Sequence, residues 1–263
     1  MRGLFLWLLL LPAIPAMAQE KPEAQFETYV SGTIDVARDG TVSGYTLEGG
    51  VKPAIRAAID KNVRSWRFEP ITVDGRAVVA TTQMNLQLVA VPVDNGDYGL
   101  RVEKVWFGDP RRSNHIPAPA YPADAAKAGR QAKVVLVLRL DPQGNVVEAF
   151  PEQTSLDIAP DGKKAQYWRK RFEEASIRAA MGWKFTVTEI IDGQPIGGSV
   201  RIPVSYAFGP REWGKYIAGP INPVPWKSDT SVAELEAASL QDGQAQSLDS
   251  SFKLKTEVVG SML

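Results

Sequence analysis

Apolar and polar residues alternate along 30–36, Val30-Ser-Gly-Thr-Ile34-Asp-Val36, which is the period of a strand with one buried face. Asp39-Gly40 interrupts the alternation before Val42. That pair tolerates the positive φ of a tight hairpin turn, so a return strand is predicted. From Pro53 to Trp66 the period lengthens. Ile55, Ala58, Ile59, Val63 and Trp66 fall on one face of an amphipathic helix, with Pro53 suited to its first turn. Trp66-Arg67-Phe68 closes the helix, Asp74-Gly75-Arg76 predicts another turn, and Met84, Leu86 and Leu88 alternate along a last strand.

The second half repeats this order. Residues 133–140 (Lys-Val-Val-Leu-Val-Leu-Arg-Leu) are almost continuously apolar, which predicts a strand central in its sheet. Asp141-Pro142-Gln143-Gly144 is a turn, and Val146-Val147 begins the return strand. Phe172, Ser176, Ala179, Ala180 and Trp183 form a helix face, Trp183-Lys184-Phe185 matches Trp66-Arg67-Phe68, and Asp192-Gly193-Gln194 matches Asp74-Gly75-Arg76. Val200, Ile202, Val204, Tyr206 and Phe208 alternate along the final strand. From turn glycine to tryptophan the first half takes 26 positions and the second 39. The 13 extra residues are expected around 151–168, where Pro160, Asp161, Gly162 and a basic run predict an excursion. The fold class expected is α+β, with two tandem modules, each a small antiparallel sheet with a helix packed on one face.

The remaining segments carry weaker patterns. Residues 98–107 offer a further strand to the first module. Residues 26–108 and 119–209 are read as the two modules, with 109–118 as a proline- and arginine-rich linker. Beyond them, 210–263 reads as an irregular segment and tail. In it 209–227 is rich in proline and glycine and is expected to pack on the second module. Residues 228–263 carry a net charge of −4 and weak periodicity, so most of that stretch is expected to be mobile, with helical turns at 233–240 and a short strand at 252–259.

Residues 1–18 change the picture of where the chain works. Arg2 precedes an apolar run at 4–11, prolines stand at 12 and 15, and Ala16-Met17-Ala18 places small residues at −3 and −1 of a cleavage site. This is the pattern of a secretory signal peptide cleaved after Ala18. An uncleaved membrane anchor is the alternative, although a spanning helix needs about 20 apolar residues and here the prolines interrupt the run.

Composition narrows the function. Thirty basic and 30 acidic side chains give no broad positive field, so no nucleic-acid partner is expected. The chain has no cysteine and one histidine, which leaves no thiolate metal cage, no thiol nucleophile and no multi-histidine site. His115, in the linker, is read as a loop histidine rather than a catalytic one. The Asp-Gly pairs are explained by turn chemistry without a metal, and the Trp-x-Phe pairs by core packing rather than ligand stacking. Arg169-Lys170-Arg171 reads as a solvated helix face. No catalytic residues, metal or small-molecule cofactor are expected, and the protein is not expected to be an enzyme.

Several spaced motifs form a larger pattern. Pro119-Ala-Tyr121-Pro122-Ala-Asp-Ala125-Ala126-Lys-Ala-Gly129, the strand at 134–140, Gly144-x-Val146, Trp183-x-Phe185, Asp192-Gly193-x-Pro195 and Ile202-Pro203-Val204-x-Tyr206-x-Phe208 resemble the C-terminal domain of TonB-type energy transducers. Residues 26–108 look like a shorter, divergent copy that lacks the Tyr-Pro opening and the proline of the last strand. The resemblance implies a periplasmic domain that grips an extended segment of an outer-membrane transporter, by pairing it with the edge of the last strand. In this chain that strand is 199–208. Its predicted partner-binding residues are Ser199, Val200, Arg201, Ile202, Val204, Ser205 and Tyr206. Pro203 lacks an N–H and belongs at an edge or bulge. Family transducers also carry a membrane helix and a long proline-rich spacer, whereas here the first module begins soon after residue 18. The reading is therefore an exported periplasmic protein that binds envelope partners by strand addition. An anchored energy transducer, facing the periplasm from the inner membrane, and a structural or assembly factor of the envelope remain as alternatives.

Overall fold

The computed structural model describes residues 26–93, 97–113, 116–158, 162–209, 216–227 and 243–263. The signal sequence expected at 1–18, His115 and the helical turns expected at 233–240 lie outside the described residues. No helix among the described residues is long and apolar enough to cross a membrane.

The alternation at the start of the chain becomes a hairpin of β1 (Phe26–Val36) and β2 (Val42–Leu47), followed by α1 (Pro53–Val63), with Pro53 in its first turn. Asp74 and Gly75 both take positive φ, +50° and +75°, in the turn joining β3 (Thr72–Val73) to β4 (Arg76–Ala77), and the long strand β5 (Ala80–Pro92) follows. Residues 98–107 do form a strand, β6 (Tyr98–Phe107), folded back on β5. After β7 (Arg111–Arg112) and the single-turn α2 (Ala123–Lys127), the order resumes with β8 (Ala132–Leu140), β9 (Val146–Leu156) and α3 (Gly162–Ala180). Three two-residue strands, β10 (Phe185–Thr186), β11 (Ile190–Ile191) and β12 (Gln194–Pro195), lead to β13 (Ser199–Tyr206), and β14 (Gln246–Ser247) lies in the tail. The protein is mixed α+β, and its sheets are antiparallel throughout.

Among the described residues of 151–168, most belong to β9 and α3 rather than to an excursion. β9 has 11 residues where β2 has 6, and α3 has 19 where α1 has 11. Those two differences account for the whole insertion, while the connections keep their lengths. The extra residues lengthen regular elements because strand and helix grow together against one widened core.

Each half buries one face of its sheet against its helix. In the first, Ile34, Ile59, Val63, Trp66, Phe68, Met84, Leu86 and Leu88 share a core. In the second, Val134, Leu136, Leu138, Phe172, Trp183, Phe185, Val200, Ile202 and Val204 do so. The turn glycines tie hairpin to helix end in the same way in both. Phe68 donates its amide to the Gly40 carbonyl at 2.8 Å, and Phe185 to Gly144 at 2.9 Å. A Cβ on either glycine would overlap the phenylalanine carbonyl oxygen, and both sit at φ near +80°, so only glycine fits the approach.

The halves are not separate bodies joined by a free tether. In one sheet the strand order is β12-β11-β5-β1-β2, with β6 also on β5. The Asp192-Gly193 hairpin thus extends the sheet of the first half: Ile190–Ile191 pair with Ala80–Thr81. Within the stretch read as a linker, Arg111–Arg112 pair with Phe185–Thr186, and Trp183 donates its indole N–H to the Pro117 carbonyl at 2.9 Å.

The tail departs most from the expectation. Residues 243–263 pack on both halves instead of moving freely. Phe252 packs against both Phe68 and Phe107, with ring centroids 6.1 and 6.4 Å away, and Val258 joins the same core. No regular strand forms at 252–259. Lys253 accepts from the Glu69 amide, and Lys255 donates to Arg67. Residues 260–263 then pair with Leu100–Val102 on the outer side of β6. Three apolar anchors at 245, 252 and 258 hold the segment without any helical or strand period, which explains why composition misrepresents it.

Candidate functional site

The predicted residues of the last strand are brought together on β13. Its full length pairs with β8, from Ser199↔Arg139 to Tyr206↔Ala132, without a register shift. Side chains of Val200, Ile202, Val204 and Tyr206 enter the helix-side core. The Tyr206 hydroxyl lies 2.8 Å from Ser176 Oγ, and Tyr121, from the Pro119–Gly129 motif, packs edge-on against the Tyr206 ring at 5.4 Å. An antiparallel strand offers alternate residues to each neighbour. On β13 the backbone groups of Ser199, Arg201, Pro203 and Ser205 point outward, away from β8. Pro203 therefore stands where its missing N–H removes nothing from the β8 ladder.

That outer edge is not open along its whole length. The sheet order is β14-β13-β8-β9, so β13 is second from the end. Val200 and Arg201 pair with Ser247 and Gln246. Leu248 donates its amide to the Ser199 carbonyl at 2.9 Å, and Gly243 donates to the Pro203 carbonyl at 2.7 Å. Asp249 takes the Ser199 amide on both carboxylate oxygens, at 2.8 and 3.1 Å. Residues 243–249 thus lie on the edge between Ser199 and Pro203. A donor-rich, unpaired strand edge is exposed to unwanted pairing, and covering it is a common solution. Among the described residues no strand pairs with this edge beyond Arg201. There the Ser205 hydroxyl is buried with no hydrogen-bond partner among them.

The first half solves the same problem more completely. β5, which holds the equivalent position, has β11 along Ala80–Thr81 and β6 from Met84 to Pro92. The edge occupied by one short strand in the second half is occupied from end to end in the first.

The reverse face of the second sheet holds an ion pair that sequence periodicity could not assign. Arg201, from β13, and Glu152, from β9, meet across β8 through two bonds of 2.6 and 2.9 Å. Their exposures are 4% and 2%. Residues 216–227 pass along β9, with Asn222 donating to the Glu152 carbonyl at 2.7 Å, and then cross to β13. There Trp226 donates to Ser199 Oγ at 3.2 Å and packs near Phe150. This segment packs on the second half, as its composition predicted. Alternation puts Arg201 on the face of β13 opposite Val200 and Ile202, but nothing in the sequence marks that face as covered or names Glu152 as its partner.

Asp109, read as linker, is a second element that the sequence did not reveal. It follows β6 and receives the Ser247 amide at 2.8 Å on Oδ1 and the Trp106 indole N–H on Oδ2. Burial pushes its carboxyl up to about 6, against smaller opposing effects of the Ser247 and Trp106 bonds and of Lys104. Glu189, against Ser250 and Ser251, is likewise raised by burial. Asp124 is instead held down at about 2 by hydrogen bonds from Tyr167 and Arg171. The Arg171–Asp124 ion pair, with Lys170–Glu174, engages part of the basic run, which lies within α3. Among the described residues, no three His, Cys, Asp or Glu side chains cluster to hold a metal ion.

Fold and edge together define a class: an α+β protein in which the last strand of each half carries an added antiparallel strand on its outer side. Where a protein binds an extended segment by strand addition, the same main-chain pairing gives affinity and alternate side chains give selectivity. The chain is similar to Protein TonB of Xanthomonas campestris pv. campestris, in strains B100 and ATCC 33913, at 32% identity over 96 residues. The match covers 36% of this chain, and the chain spans 37% of the length of those relatives. No family model matches the chain, and no solved structure matches it significantly.

Proposed function

We propose that the chain is a TonB-like protein of the cell envelope, without enzymatic activity. It is exported to the periplasm with cleavage after Ala18 and consists of two TonB-C-terminal-like modules. The second module binds an extended segment of an envelope protein, such as an outer-membrane TonB-dependent transporter, along the outer edge of Ser199–Tyr206. The observation that carries this reading is the strand addition the chain performs on itself, β6 on β5 and β14 on β13. Similarity to Protein TonB supports the class of partner. It also keeps a second reading in view, a protein whose apolar 4–18 segment stays in the inner membrane and transmits energy. Mass and fractionation separate the two: a soluble species beginning at Gln19 supports the adaptor, and an intact membrane-bound species supports the transducer.

Binding is tested with a synthetic peptide of a transporter's periplasm-facing segment, compared with the same peptide methylated on alternate backbone nitrogens. Strand addition requires those N–H groups, so methylation abolishes capture. Equal capture of both peptides excludes pairing as the mode. On the protein, Ser205→Pro removes an outward N–H and leaves the β8 ladder intact, so it weakens capture in a chain that still folds.

A further inference from the structure

We propose that residues 243–249 are a resident pseudo-ligand on the β13 edge, which the partner segment must displace. The inference rests on the reading of that edge as the partner surface, and it specifies what the edge accepts. From Ser199 to Pro203 the segment makes the contacts of an incoming strand. Its Gly243 amide meets the Pro203 carbonyl, Gln246 and Ser247 pair with Arg201 and Val200, and its Leu248 amide meets the Ser199 carbonyl. Asp249 then supplies a carboxylate to the Ser199 N–H.

Occupancy is held from outside as well. Ser247 turns its amide away from β13, into Asp109 Oδ1 at 2.8 Å, and the Leu248 carbonyl accepts from Lys227 Nζ at 3.1 Å. These bonds are few: the pairing is two residues long, against the nine paired positions of β6 on β5. The Gln246 side-chain Oε1 is buried with no hydrogen-bond partner among the described residues, and within them the present occupant leaves an acceptor unsatisfied. A short, incompletely satisfied strand is one that a longer strand can replace. β6 on β5 is not, which assigns exchange to the second half.

The resident sequence also describes its competitor. Gly243 stands opposite Pro203, Ala245 is a small side chain in the helix-side core, and a carboxylate follows the last paired residue. The edge therefore favours an extended, mostly small and polar segment with an acidic residue at the end that meets Ser199. A segment on the same chain competes at an effective concentration on the order of millimolar, so free peptide binds weakly until the resident lets go.

A lock tests this directly, because the chain has no native cysteine. Val200 and Ser247 are register partners in a pair whose backbone groups point apart, the kind with closely spaced side chains. The full-length Val200→Cys/Ser247→Cys chain is measured oxidised and reduced with the transporter-derived peptide above. Displacement predicts that oxidation weakens capture at least about tenfold and that reduction restores it. Equal capture in the two states overturns displacement and leaves peptide binding intact. A third arm separates the underlying reading. Asp249→Ala loosens the resident segment and should tighten capture. No capture by either form of the lock or by Asp249→Ala overturns the edge as a binding surface, and the displacement with it.

Discussion

Asp109 and Ser247, 138 positions apart, are joined by a 2.8 Å bond from the Ser247 amide to the Asp109 carboxylate. The contact places a carboxylate from the end of the first half against the strand that covers the second. Burial of that carboxylate, which the Ser247 bond opposes in part, gives the fold a pH dependence. The Asp109 pKa in the fold is raised, to about 6, and Glu189 is raised as well. A raised acid contributes stability that is fully present below its unfolded pKa and is lost as pH rises through the folded value. The protein should therefore melt at a higher temperature at pH 5 than at pH 7.5, by an Asp109 contribution on the order of 2 kcal/mol. The lowered carboxylates Asp124, Asp39 and Asp141 oppose this only below about pH 4. Melting temperatures that fall steadily from pH 7.5 to 5 contradict the assignment.

The buried pair on the reverse face makes an asymmetric prediction. Arg201→Met leaves Glu152 charged and enclosed, which should cost about 3–5 kcal/mol. The double variant Arg201→Met/Glu152→Met removes both charges and should recover most of that loss. Chemical denaturation of the two variants checks it, and equal destabilisation would show that the charges do not act as a pair.

Tryptophan 183 closes the helix-side core of the second half. Trp183→Ala should destabilise the protein by about 3–5 kcal/mol as a large-to-small core change. An unchanged melting temperature would remove Trp183 from the core.

Gly144 and Gly193 share a left-handed backbone, at φ +79° and +78°, but differ in their surroundings. A Cβ on Gly144 overlaps the Phe185 carbonyl, and one on Gly193 meets nothing within 4 Å. Gly193→Ala should cost only the backbone strain, about 1 kcal/mol, and Gly144→Ala distinctly more. Equal costs in equilibrium unfolding would show that the turn does not press on the helix end.

Periodicity made the two halves legible. Alternation gave β1 and β13, a near-continuous apolar run gave β8, the helical spacing of Ile59, Val63 and Trp66 gave α1, and Asp-Gly pairs gave the turns. What periodicity does not carry is the choice of partner. Asp192-Gly193 announces a hairpin but not that Ile190–Ile191 will lie along Ala80–Thr81 in the sheet of the first half. The insertion looked like a loop because Pro160 and Asp161 dominate its centre, whereas its length went into β9 and α3. The tail looked mobile because its charge is acidic and its apolar residues are sparse, yet in its described part, 243–263, Ala245, Phe252 and Val258 are anchored in the cores. The candidate strand was readable from Val200 to Tyr206. The segment that covers it was not, because β14 pairs over only two residues.

The central claim is that partners meet this chain at the uncovered end of β13. Phe208 stands just beyond that strand, stacked on Tyr121 at 4.9 Å and 57% exposed. A benzoyl-phenylalanine in its place is a conservative photoprobe at the proposed point of entry. Irradiation in a Gram-negative host should crosslink the chain to an outer-membrane transporter, and adding Ser205→Pro should abolish the product. Crosslinking that is unaffected by Ser205→Pro, or that yields no envelope protein, would contradict strand addition at this edge.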